Sequence, residues 1–268
     1  MSWPILIPSR GRVKLLGTQG STIHQFDEEL IRRTHYFVEP IEYAQYSVPA
    51  NKIGFNLVPV STKGMGDLRH QMALWAEENE HQAFFMFDDD LQWFTRKSWQ
   101  ETGLKKADVV DIKNMLTVAE QTLYCLDSVA CVGISARQGN NTKGTGDVQL
   151  LEPNTRIIRA FMFKTAPFLQ MIHGRVPFME DFDVLLQLLE NGWENRNLYF
   201  WAQDQRSTQA EGGCSLTRTH ANHEASAVHL KELHPDVVSL RQKENKTGGE
   251  FGKRTEVTIQ WKRALRKL

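Results

Sequence analysis

The sequence predicts an α/β fold of Rossmann type, with a mostly parallel central sheet, flanking helices and a C-terminal extension. Three observations predict it. Short apolar, β-rich segments alternate with helical patterns along the first half of the chain, which is the signature of βαβ units. The run Ala83–Phe87 is unbroken in its apolarity and ends in Asp88-Asp89-Asp90, as a buried parallel strand does when its carboxyl end reaches the surface. The 268 residues, 41% hydrophobic and 24% charged, are enough for one large domain with an ordinary core.

Taken in order, the strands are expected near Trp3–Ile7, Tyr36–Val38, Phe55–Val60, Ala83–Phe87, Val129–Ile134, Ile157–Phe163 and Leu198–Trp201. Helices are expected over Glu28–Arg33, Asp67–Asn79, Val109–Leu126 and Glu180–Glu190. The last has an apolar stripe for core packing and closes on Asn191-Gly192, a helix C-terminus signal. Gly139–Gly146 and Gln203–Gly213 read as loops, and Asn245–Gly252 separates the body from a basic end. The domain expected is 1–240, with a first half of about 1–135 and a second of about 136–240, followed by a basic segment 241–268 packed on it or extending it.

Composition excludes several classes. No apolar run approaches the ~20 residues that span a bilayer, so no membrane partner is expected. Met1–Pro8 lacks the basic start and long apolar core of a signal peptide and reads as the first strand. Cys125, Cys131 and Cys214 have neither disulfide-framework nor zinc spacing, and a reduced, cytoplasmic protein is expected. Cys125 and Cys131 fall in apolar surroundings and read as core residues. Net charge is zero, yet residues 241–268 carry nine basic side chains against three acidic ones, +6 in that segment and −6 in the rest. Such a segment is a solvated surface or a contact for a polyanion.

Several stretches can carry chemistry. Adjacent carboxylates repel, and Asp88-Asp89-Asp90 is best tolerated where a hard divalent cation gathers it with substrate phosphates. Pro8-Ser9-Arg10-Gly11-Arg12, at a strand's carboxyl end, offers a hydroxyl and two guanidiniums to a nucleotide base edge and diphosphate, or is simply an exposed turn. Gly64-Met65-Gly66-Asp67-Leu68-Arg69 opens a helix with an anion-favouring N-terminus, although it matches neither a Walker loop nor a Rossmann fingerprint. Glu180, Asp181 and Asp183 stand in a first helical turn, where acids complement the macrodipole and where a carboxylate is also placed to act as a general base. Further on, Glu211-Gly212-Gly213-Cys214 brings backbone close to an acceptor, and His220, His223, His229 and His234 follow.

In this order the motifs resemble the glycosyltransferases of the GT-A fold, whose DxD motif holds a divalent ion against a nucleotide-sugar diphosphate. Within that fold the chain is similar to the TET-associated glycosyltransferases of bacteriophages. The stretches carrying that resemblance are Ile7–Arg12, Met179–Asp183 with Leu186–Gly192, Gly212–Ser215, His234-Pro235 and Val257–Lys262. The resemblance implies a nucleotide-sugar-dependent hexosyltransferase, with Mn²⁺ or Mg²⁺ as cofactor and a UDP-sugar as donor. The acceptor it implies is a 5-hydroxymethylpyrimidine in phage DNA, in the host cytoplasm. Residue by residue, it implies Pro8, Ser9, Arg10, Arg12, Glu39, Gly66, Arg69, Asp88 and Asp89 at the donor, with Asp90 and Asp88 on the metal. His220 or His229 would be a further ligand, Asp181 or else Glu180 the base, and Gly212 and Gly213 would lie at the acceptor, in a C-terminal extension on the acceptor side.

Displacement with one base opposite the leaving group would invert the anomeric carbon, while retention needs another arrangement. A hydroxymethyl group in the major groove reaches a deep pocket by base flipping, with the basic segment and Arg137, Lys143, Arg156 and Arg159 as phosphate contacts. A glycan or protein acceptor, or nucleotidyl transfer on a related sheet, are the competing readings.

Overall fold

A computed structural model describes residues 2–98, 101, 103–140, 151–205, 219–244 and 253–266. Its elements are β1 (Ile5–Pro8), α1 (Glu28–Arg32), β2 (Thr34–Val38), α2 (Tyr43–Ile53), β3 (Asn56–Pro59), α3 (Met65–Glu78), β4 (Ala83–Phe87), β5 (Leu91–Arg96) and β6 (Leu104–Lys106). They continue with α4 (Val109–Cys125), β7 (Val129–Ala136), α5 (Arg137–Asn140), β8 (Leu151–Pro153), β9 (Ala160–Lys164), α6 (Thr165–Leu169), α7 (Glu180–Glu190) and β10 (Glu194–Gln205). The C-terminal part adds α8 (His220–Leu233), β11 (Val238–Glu244), β12 (Lys253–Ile259) and α9 (Trp261–Ala264).

The main sheet has the order β3-β2-β1-β4-β9-β7-β10-β5-β6, with β8 on β10. β1, β2, β3, β4, β6, β7 and β10 run one way and β5, β8 and β9 the other. The expected mixed α/β architecture with a mostly parallel sheet is therefore present, and the β3-β2-β1-β4 half is wholly parallel. Alternation along the strands divides the core. Ile5, Ile7, Phe85 and Phe87 face one layer with Leu30 of α1, Tyr46 of α2 and Met115 of α4. Leu6, Phe84 and Met86 face the other, with Met72 of α3, Phe168 of α6 and Leu185 of α7. This is the period-2 strand pattern serving two helical layers.

A third cluster joins α7 to the C-terminal part through Leu186, Leu189, Ala227, Leu230, Val238 and Ala264. The described part of the basic segment is thus largely a β-hairpin packed on α8, and β11 runs across residues 240 and 241. Strands alternate there too: Val257 and Ile259 turn inward while Arg241 and Lys243 are exposed. One expectation is corrected. Cys131 is buried, but Cys125 is exposed, because the last turn of α4 buries Leu123 and turns Tyr124 and Cys125 outward. No described helix is long and apolar enough to cross a membrane.

Candidate functional site

The carboxyl ends of β1, β2 and β4 share one edge of the sheet, and the candidate residues of the first half collect there. Because β9 runs antiparallel to β4, its entry residue Arg159 also reaches this edge, where its carbonyl accepts the Asp88 amide at 3.0 Å. Arg159 holds a left-handed backbone, φ 68°, unusual for a residue with a Cβ.

Ser9 is buried at the end of β1. Its Oγ donates to Asp89 Oδ2 at 2.6 Å and lies 2.9 Å from the Tyr46 hydroxyl. The turn passes through Gly11, φ 66°, which lets Arg12 fold back over the acids. Arg12 Nη1 then donates to Asp89 Oδ1 at 2.6 Å and reaches Asp90 Oδ2 at 3.2 Å. Burial opposes the Arg12 charge, but Asp89 and Asp90 outweigh it and hold the guanidinium protonated more firmly than usual. Arg10, by contrast, is exposed. Thr22 supports the turn from beneath: its Oγ1 donates to the Asp88 carbonyl and its amide to the Asp89 carbonyl.

The three acids differ. Asp89 is committed to Ser9 and Arg12. Asp88 is partly buried, and loss of solvation pushes its carboxyl up to about 7, with Arg69 and Arg159 opposing the rise and Asp90 and Asp89 adding to it. Asp90 is also raised, by burial first and then by Asp89. Its Oδ1 is buried with no hydrogen-bond partner among the described residues.

Arg69, one turn into α3, is buried, and its Nη2 lies 3.4 Å from Glu180 Oε1 at the start of α7. It also acts electrostatically on Asp88. One guanidinium thereby links the acids of β4 to the acids of α7. Asp181, in the first turn of α7, accepts through Oδ1 from the next backbone amide, that of Phe182, at 3.0 Å. Asp183 instead turns inward to a buried network.

Other expected residues lie differently. Pro8 is buried, and Glu39, just past β2, accepts from Thr62 Oγ1 at 3.3 Å. Gly66 does not open onto the acids: a Cβ there would lie 2.7 Å from the Gly174 backbone, so its smallness serves close packing of α3 on the loop before α7. His220 and His229 stand on α8 near Glu224 and Glu232. The buried face of that helix carries His223, Ser226, Ala227 and Leu230 instead, which keeps His229 exposed. Among the described residues no group of three or more His, Cys, Asp or Glu is disposed to hold a metal ion, so these histidines do not join the acids in such a set. Gly212, Gly213 and Lys143 lie outside the described residues.

Sequence reasoning missed Tyr46. Its hydroxyl meets Ser9 and accepts the Arg12 amide at 3.1 Å, and burial pushes it up to about 12. No local sequence signal marks it, since α2 carries Pro49 and only two buried side chains. A separate cavity of about 510 Å³, lined by Trp3, His81, Tyr124 and Lys164 among others, opens at the opposite end of β4 and is remote from this chemistry.

A family model described as TET-associated glycosyltransferase matches residues 3–213. The chain belongs to the TET-associated glycosyltransferase family. That membership places it among glycosyltransferases. No curated protein matches the chain. Solved structures resemble it at low identity. One is a cytidylyltransferase from Leptospira borgpetersenii, at 11% identity and TM-score 0.37, over 62% of this chain and 61% of that one. Another is S. aureus TarS 1-349 in complex with UDP, at 12% identity and TM-score 0.48, over 88% of this chain and 66% of that one. A third is mouse xyloside xylosyltransferase 1, at 8% identity and TM-score 0.33, over 72% and 76%. The chain of this TET-associated family member therefore spans less than two thirds of the first two.

Proposed function

We propose that the chain transfers a sugar from a nucleotide-sugar donor, a UDP-sugar in the first instance, to the hydroxymethyl group of a modified pyrimidine in DNA, with Mn²⁺ or Mg²⁺. Family membership supports the reaction class. The observation that carries the site is Arg69, which acts on Asp88 and pairs with Glu180.

The acids at this edge fit a divalent ion. Asp88 and Asp90 supply hard oxygen donors, and Asp90 Oδ1 is buried without a partner among the described residues, which suits such an ion. Asp89, already held by Ser9 and Arg12, is left as support. Bound by Asp88 and Asp90, the ion would offset negative charge developing on the leaving diphosphate.

The chain's own residues divide the remaining work. Arg12 and Ser9 fix the acid turn, so that the donor meets a preformed surface. Arg69 provides positive charge on the diphosphate side. Its pairing with Glu180 ties that carboxylate to the guanidinium. Asp181, engaged among the described residues by a backbone amide of its own helix, is the base of this reading. It takes the proton from the acceptor hydroxyl as that oxygen bonds to the anomeric carbon and the bond to the diphosphate breaks.

The test is direct. The protein is incubated with Mn²⁺, a panel of sugar nucleotides and DNA containing 5-hydroxymethylcytosine or 5-hydroxymethyluracil, and the digested nucleosides are weighed. A nucleoside heavier by one sugar supports the proposal. Transfer only to glycans or proteins would replace the acceptor, and release of pyrophosphate from a nucleoside triphosphate would replace the reaction.

A further inference from the structure

His234 closes α8 and is buried, and both of its ring nitrogens meet carboxylates of a single neighbouring helix. Nε2 lies 2.9 Å from Asp183 Oδ1 and Nδ1 lies 2.9 Å from Glu190 Oε1. A ring that serves two carboxylates through both nitrogens does so as an imidazolium, since only that form has two N–H donors. Asp183 receives more. Arg175 donates Nε to Oδ2 at 3.1 Å and Nη2 to Oδ1 at 2.5 Å, and Gln187 Nε2 donates to Oδ2 at 3.2 Å. Arg175 follows Gly174, whose backbone is pressed against Gly66 of α3, the helix that presents Arg69 to Glu180. Asp183 lies two residues after Asp181 on the same first turn of α7. Met179, which begins that turn, holds a left-handed backbone at φ 69° and so relies on its surroundings to stay there.

We propose that His234 is a positioning residue for sugar transfer: as a cation clamped between Asp183 and Glu190, it locks the acid-bearing first turn of α7 and couples the C-terminal α8–hairpin unit to the site. The proposal rests on the glycosyl-transfer reading above. It also gives that unit a role beyond contact with a polyanion.

The groups facing the ring are Asp183 and Glu190 from α7, with Arg175 behind Asp183. Burial works against the His234 charge, but the hydrogen bonds that the ring donates to the two carboxylates outweigh it and raise the ring above its usual 6.5, while His234 and Arg175 hold Asp183 below the usual carboxylate range despite its burial. For a group raised on folding, the clamp is complete below about 6.5 and is lost as pH rises through the raised value.

The experiment compares full-length wild type with His234→Gln and Glu190→Gln. Two readouts are followed against pH: sugar transfer, and hydrogen exchange at the first-turn amides of α7. Wild-type kcat is expected to fall on an alkaline limb that moves to lower pH in Glu190→Gln and disappears in His234→Gln. His234→Gln should lower kcat on the order of tenfold to hundredfold, with donor KM little changed. The exchange of the first-turn amides should follow the same limb, and no donor is needed to see it. If no donor supports transfer by wild type, the functional reading fails, and the exchange data still decide the clamp. An alkaline limb and α7 protection that are the same in all three proteins would overturn it, and so would a loss confined to donor KM.

Discussion

Ser9 Oγ donates to Asp89 Oδ2 at 2.6 Å across 80 residues of sequence, tying the end of β1 to the acid turn after β4. Both groups are buried, and Asp89 Oδ1 is held by Arg12 at the same distance. Removing the hydroxyl leaves a buried carboxylate oxygen short of a donor, which costs more than the bond itself was worth. Ser9→Ala is therefore expected to destabilise the protein by about 1–3 kcal/mol in urea unfolding. It should also weaken binding of a UDP probe by calorimetry, because the acid turn loses an anchor. A variant with wild-type stability would show that Asp89 is satisfied by Arg12 alone.

Asp88 gives a pH dependence of known sign. Its carboxyl titrates near 7 in the folded protein against an ordinary 3.8, so the folded state binds more protons between those values and loses stability as pH rises through that window. Asp88→Asn should accordingly raise the thermal midpoint at pH 8, in metal-free buffer, by on the order of 1 kcal/mol equivalent. At pH 4 it should change little. Manganese affinity of the wild type should rise with pH across the same window, because the ion needs the ionised carboxylate.

Asp181 and Glu180 separate by their partners. Loss of a general base costs about 10²–10⁴ in rate with little effect on donor binding, and this is expected of Asp181→Asn. Glu180→Gln should instead act through Arg69, raising donor KM along with any loss in kcat. If Glu180→Gln shows the pure kcat defect and Asp181→Asn does not, the two roles are exchanged.

Legibility varied with how local each signal was. Ala83–Phe87 and Glu180–Glu190 have the expected bounds, because an acid cluster ends the one and an acidic first turn with an Asn-Gly stop frames the other. Helix α2 went unseen: Pro49 lies within it and only Tyr46 and Ala50 are buried, so it has neither an unbroken pattern nor a wide apolar stripe. In the hairpin, charge hid the alternation, since the outward Arg241 and Lys243 dominate the composition while Val257 and Ile259 turn inward. Arg12 and the Asp88–Asp90 turn were legible because strand ends of a parallel sheet converge. Tyr46 meets Arg12 from 34 residues away and His234 meets Asp183 from 51, and no local spacing encodes such pairs.

Gly66 separates a packing role from a donor role. A Cβ at this position would stand 2.7 Å from both the Cα and the N of Gly174, which are backbone atoms that cannot swing aside. Gly66→Ala is expected to push α3 away from the loop before α7 and to destabilise by about 1–3 kcal/mol. Arg69 and Glu180 ride on the two sides of that contact, so activity should fall in step with the displacement. Gly64→Ala, where nothing lies within 4 Å, is the matched control and should be nearly silent in the same unfolding experiment.

The hairpin gives the acceptor proposal an ionic-strength test. Arg241 and Lys243 are exposed on β11, on the face turned away from α8, whereas Arg254 on the paired strand is engaged by Glu256. If this face meets a DNA backbone, each cation neutralises a phosphate and releases a counterion, so log affinity falls linearly with log salt. Arg241→Glu with Lys243→Glu should weaken binding of hydroxymethylated duplex at low salt by about tenfold or more and reduce the slope by roughly 2. The effect should be the same for duplexes of different sequence, since phosphates position and do not specify. Sugar transfer to free 5-hydroxymethylated nucleoside should survive the double variant, because neither side chain belongs to the Asp88–Arg69–Glu180 edge. An unchanged slope would move the DNA contact away from the hairpin, toward Arg137 and Arg156 on the sheet side.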